Sequence, residues 1–214
     1  SQKPSFKKRQ LSLNKLLADG EMSMNTAKER YHFAKLALFN VRLMRSLQEA
    51  GPPVSEIITR EAQTNGMQDA PSLLHQGTFL QFSYTCLVWL WESAKIEKLE
   101  DALLNELPAV AAKLDLLLPK AVNGERKVDD WKSVVRLIRN ALGHGRVEAS
   151  ETHFIFADQN TYRKPKELNP TYLSLTWPET LKLSEAIIHS LTPILWPESA
   201  NKTIQADAFG AADC

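Results

Sequence analysis

Arg136, Arg139, Asn140, His144 and Arg146 crowd into one short stretch of the chain, residues 128–146. On an α-helix of about 3.6 residues per turn, Arg136 and Asn140 stand one above the other with Arg139 beside them. His144 extends that row if the helix persists so far. The chemistry of the set is specific. A guanidinium offers a fixed fork of donors matched to phosphate oxygens and stays charged at any physiological pH. An imidazole takes or gives a proton near neutrality. For a ribonucleotide chain these two roles suffice in principle for transesterification without a metal. A base activates the 2′-hydroxyl, the guanidinium stabilises charge on the phosphorane, and an acid protonates the leaving 5′-oxygen. The same residues also fit a solvated helix face whose glycines merely cap the end.

The element that must position them is legible in the same stretch. Asp129 and Asp130 suit a helix N-terminus, and Gly143 and Gly145 suit its C-terminal end. Trp131, Val134, Val135, Leu137, Ile138, Ala141 and Leu142 fall on the side opposite the arginines, so one face anchors the helix and the other carries the polar patch. Asp129 and Asp130 are adjacent and point about 100° apart, unlike a paired acid/base site.

Around this helix the pattern predicts a mainly α protein. From about 25 to 50 neither Gly nor Pro occurs. Phe39, Leu43 and Leu47 repeat at helical spacing, with Tyr31, Ala34, Leu38 and Val41 widening the stripe, until Gly51-Pro52-Pro53 stops the helix. A short helix is expected over 55–63, and a long one over roughly 71–98, apolar on most of its circumference and so central to a bundle. Two further short helices, 99–107 and 109–118, are expected on either side of Pro108. Thr152, Phe154 and Phe156, then Thr171, Leu173 and Leu175, alternate as two strands of a hairpin with a long loop. A last helix runs from about Pro178 to Leu191. His32, His75, His153 and His189 are scattered, and structural or surface roles are expected for them.

The chain of 214 residues, 43% hydrophobic and 24% charged, fits one domain with a substantial core. The expected organisation is a basic arm at 1–22, a helical domain at 23–197 and a disordered tail at 198–214. Lys and Arg number 26 against 25 Asp and Glu, a formal charge of +1, so any polyanion site must be a local patch. Cys86 and Cys214 form no disulfide framework, and no zinc-spaced Cys/His cluster, P-loop, dinucleotide-binding glycine pattern or HExxH occurs. No apolar run is long enough to span a bilayer, and none near the N-terminus suits a secretory signal, so a cytoplasmic setting without membrane contact is expected.

Arg139-Asn140-Ala141-Leu142-Gly143-His144 resembles the R-x(4–6)-H motif of the HEPN superfamily (higher eukaryotes and prokaryotes nucleotide-binding). In that superfamily a polar residue, often Asn, follows the arginine near the end of a late bundle helix. The order of elements over roughly 25–195 is similar too. The resemblance implies a helical bundle, with a small β-hairpin after the motif helix, that forms a homodimer by pairing motif helices into a composite site. It implies a metal-independent endoribonuclease, a toxin or antiviral defence effector, with no cofactor, an RNA substrate and an antitoxin partner. Carried over, His144 is the acid/base, Arg139 the phosphate-binding group and Asn140 an orienting or phosphate-contacting residue; Arg136 and Arg146 are substrate-binding candidates by proximity. One toxin branch has a tyrosine two residues after the histidine, where this chain has Arg146. The alternatives are a HEPN-fold RNA- or nucleotide-binding or dimerisation module that cleaves nothing, and an unrelated helical scaffold with a chance motif.

Overall fold

In the computed structural model of the chain, the residues described are 26–70, 72–122, 126–160 and 169–197. The expected arm at 1–22 and tail at 198–214 lie outside them. The uninterrupted stretch after Asn25 folds into α1 (Ala27–Glu49), opened by a capping box in which Thr26 and Glu29 satisfy each other's backbone N–H groups. Its buried face is Ala27, Tyr31, Ala34, Leu38 and Val41. Phe39, Leu43 and Leu47 correct the expectation, because they lie on the other side, 59%, 43% and 39% exposed. The helix carries two apolar stripes, and periodicity alone does not say which one packs. The stripe with two alanines admits close neighbours, and it carries Tyr31, whose hydroxyl is 2.8 Å from Thr192 Oγ1.

Gly51, at φ +85°, ends α1, and the prolines after it begin α2 (Pro52–Thr64) rather than merely separating helices. Proline at a first helical position loses no hydrogen bond. The expected central helix is continuous but not uniform: α3 (Gln76–Tyr84), a π-helical stretch (Thr85–Leu90) and α4 (Trp91–Ile96). Phe79, Phe82, Cys86, Leu87, Leu90 and Trp91 are buried along it. His75 has the structural role expected of it, capping α3 by accepting the Gly77 N–H at Nδ1, 3.0 Å away.

The two short helices expected around Pro108 are one, α5 (Glu100–Lys113), with the proline inside. An interior proline costs a helix about 3 kcal/mol. Here Leu103, Leu107, Val110 and Ala111 form one buried face across it, and their burial offsets the lost backbone bond. The motif helix α6 (Trp131–Gly143) packs chiefly on the sheet, the π-helical stretch and α5.

The expected hairpin is the middle of a four-stranded antiparallel sheet. Its strands are β1 (Ala121–Val122), β2 (Val147–Ala149), β3 (His153–Asp158) and β4 (Thr171–Thr176), in the order β1-β4-β3-β2. Phe154 and Phe156 pair with Leu175 and Leu173, and all four side chains enter the core. The last helix, α7 (Trp177–Leu195), runs through Pro193, past its expected end.

Between α1 and α7 the core encloses a charge. Glu185, 1% exposed, takes Arg42 Nη2 at 2.6 Å and His189 Nε2 at 3.2 Å on the same oxygen. Lys35 and the buried Cys86 thiol are close enough to feel the same carboxylate. Burial pushes the Glu185 carboxyl up, yet the His189 hydrogen bond and the Arg42 cation outweigh it and hold the group below its usual 4.5. A depressed folded-state pKa stabilises the protein above the unfolded value, and the contribution is lost as pH falls through the folded one. The urea midpoint of the wild type is therefore expected to fall more steeply than that of Glu185→Gln as pH drops below about 4.5. Parallel profiles would refute this linkage.

Candidate functional site

The polar face of α6 is fixed at both ends. Asp130 caps the start by accepting from both the Ser133 hydroxyl and the Ser133 N–H at 2.6 Å, and these bonds, the hydroxyl's first, hold its carboxyl below the ordinary range. At the other end the helix stops at Gly143, and His144 is the cap residue, with its N–H donating to the Asn140 carbonyl at 3.0 Å. The Arg146 N–H then reaches back to the Ala141 carbonyl at 2.8 Å and the Gly145 N–H to that of Leu142 at 3.3 Å. This is a Schellman motif, which requires a left-handed residue after the cap. Gly145 supplies it at φ +66°. Gly143, by contrast, is helical. Gly145→Ala is expected to lower the unfolding free energy by about 1–2 kcal/mol, the cost of a left-handed L-residue. Denaturant titration would read it, and an unchanged midpoint would contradict the capping role.

One cleft of about 710 Å³ collects every residue singled out from the sequence: Arg136, Arg139, Asn140, His144 and Arg146 all line it. They do not play equal parts. Arg136, His144 and Arg146 are exposed, whereas Arg139 and Asn140 are half-buried and engaged with carboxylates. Arg139 Nη2 lies 2.8 Å from Glu92 Oε1 of α4. That contact is close in charge but poor in direction. Neither Glu92 Oε1 nor the buried Arg139 Nε has a hydrogen bond of good geometry. Asn140 Nδ2 donates to Asp158 Oδ2 at 2.8 Å, and Arg126 Nη1 meets the same oxygen at 2.5 Å. Asp158, 3% exposed, thus ties together the segment before α6, the end of α6 and the end of β3.

The lining charges are lopsided. Among the described residues, Lys95, Arg126 and Lys132 join Arg136, Arg139 and Arg146, against the carboxylates of Glu100 and Asp158 and of Glu92 behind Arg139. A chain of formal charge +1 therefore concentrates six cations around one depression, the local patch that a polyanion site demands. The arrangement can bind successive phosphates and place an imidazole among them. Among the described residues no group of three or more His, Cys, Asp or Glu could hold a metal ion, and no helix is long and apolar enough to cross a membrane.

Sequence reasoning missed Glu92 and Asp158. Signals for both existed. Asp158 continues the Phe154, Phe156 alternation onto the core face, so a buried carboxylate was implied. Glu92 is the one acid between Gln76 and Ile96, next to the buried Trp91.

A late amphipathic helix, capped at an Arg-Asn-x-x-x-His sequence and followed by a small sheet and a closing helix, defines a HEPN-type bundle. The family model described as HEPN pEK499 p136 matches residues 22–178, and the chain belongs to that family. Its function at the family level is accordingly the nucleotide- or RNA-related one of HEPN domains. Neither a curated protein nor a solved structure matches the chain.

Proposed function

We propose that the chain is a metal-independent endoribonuclease of HEPN type, acting as a toxin or defence effector. The observation that carries this reading is the basic cleft, in which Arg139 and His144 stand among five further cations. In the reaction the 2′-oxygen bonds to phosphorus as its proton passes to one imidazole. The P–O5′ bond breaks, and the departing 5′-oxygen takes a proton from a second imidazole. Arg139 meets the charge that builds on the phosphorane. Two imidazoles follow if a homodimer pairs its α6 helices, with His144 of one protomer as base and the partner subunit's His144 as acid.

A second reading has its own support. Arg139 and Asn140 are held by Glu92 and Asp158, as expected of a module that binds RNA or a nucleotide without cleaving it. Incubation of the purified protein with a mixed RNA pool in EDTA separates the two. The nuclease yields products with 5′-hydroxyl and 2′,3′-cyclic phosphate ends. Bound but intact RNA would leave the binding module standing in its place.

A further inference from the structure

The basic cleft does not end at the motif. A shallower depression of about 350 Å³ adjoins it, and the two share Arg146 and Gln159. Its floor is the outward face of the sheet. Phe154 and Phe156 of β3 and Leu173 and Leu175 of β4 enter the core, so strand alternation turns Ile155, Ala157 and Tyr172 outward. All three line the depression, together with the exposed carboxylate of Glu148, which stands opposite Ile155 at the edge strand. Tyr172 is 39% exposed and stands directly opposite Ala157 on one side and Val122 on the other. Its neighbour on β3 is thus a small side chain.

The ridge between the two depressions is low. It is the turn at Gly145, where no atom beyond His144 and Arg146, its chain neighbours, lies within 4 Å of the position a Cβ would take. His144, on one side of this turn, lines the cleft; Arg146, on the other, lines both depressions. A chain of phosphates in the cleft therefore has a path over bare backbone, past a guanidinium, to an exposed aromatic ring on an apolar floor. Cations that track a backbone, interleaved with an aromatic platform, are what single-stranded nucleic acid binds.

We propose that Tyr172 is a stacking platform for one base of a single-stranded RNA, with Arg146 holding the phosphate between that base and the position beside His144. The proposal rests on the RNA reading of the cleft and adds to it a subsite and a path over the sheet. Stacking on a ring is indifferent to base identity, so the subsite favours unpaired over paired RNA rather than one sequence over another.

The test is fluorescence anisotropy with a labelled single-stranded oligonucleotide, 2′-O-methylated throughout so that it binds without being cut. Loss of one base–aromatic stack weakens binding by about 5- to 150-fold, so Tyr172→Ala is expected to show that loss and Tyr172→Phe to retain affinity. The salt dependence of binding is expected to stay unchanged in Tyr172→Ala but to drop by about one counterion in Arg146→Ala. An oligonucleotide lacking its bases should bind the wild type as weakly as Tyr172→Ala binds the intact strand. Tight binding by the wild type with Tyr172→Ala equal to it would overturn the stacking site and leave the RNA reading in place. No RNA binding by the wild type would overturn both.

Discussion

Arg139→Ala is expected to slow RNA cleavage by about 10²–10³-fold, the usual loss when a donor aimed at developing oxyanion charge is removed. The residue is placed for that role by burial as much as by position. Its side chain is 27% exposed, it sits one step from Asn140 on the polar face of α6, and its Nε has no partner among the described residues. An unpaired buried donor is costly, and a phosphate oxygen in the cleft would satisfy it once the side chain turned toward the ligand. Stability should change little, because Glu92, the carboxylate left behind, is 36% exposed and can be hydrated. Arg139→Lys keeps the charge but loses the fork, and only part of the activity should return. Single-turnover rates on one RNA would measure all three proteins. Wild-type rates in Arg139→Ala would remove this arginine from the chemistry.

The largest loss of stability is expected at Asp158. Arg126 and Asn140 both meet its buried carboxylate, and Asp158→Ala would take that carboxylate from a guanidinium that is only 21% exposed. Breaking a buried pair from one side costs about 3 kcal/mol at the lower end of its range. The lower end fits here, since Arg126 keeps some access to water. Asn140→Ala should cost less, and the double variant less than the sum of the two, because both substitutions remove the same hydrogen bond. Urea denaturation of the four proteins gives the coupling. Additive losses, or a cost below about 1 kcal/mol for Asp158→Ala, would mean that the carboxylate does not organise the end of α6.

Asp158 also shows where the sequence stops informing. The α6 helix could be read because its caps, its apolar face and its arginines all repeat at the helical period, so local pattern and tertiary role coincide. The same held for β3 and β4, whose alternating Phe and Leu residues must share one buried face. Long-range contacts left weaker traces. Nothing about Glu92 or Arg126 in isolation says that they meet Arg139 and Asp158, because those pairs are made by packing between elements far apart in the chain. On α1 the failure was different. Its two apolar stripes are equally periodic, and only the close approach allowed by Ala27 and Ala34 selects the buried one. Pro108 misled for a third reason, since a local breaker was overridden by a buried face running past it on both sides. The strands β1 and β2 are too short to imprint any alternation.

His144 is the group on which the proposed chemistry turns, and one comparison addresses it directly. Wild-type and His144→Ala proteins, matched for fold by circular dichroism, are incubated with the same RNA in EDTA, and the product ends are identified. Cleavage by the wild type to 2′,3′-cyclic phosphate ends, reduced by about 10²–10⁴-fold in the variant, is the predicted result. Equal cleavage by both proteins, or none by a wild type that binds the RNA, would contradict a ribonuclease centred on Arg139 and His144.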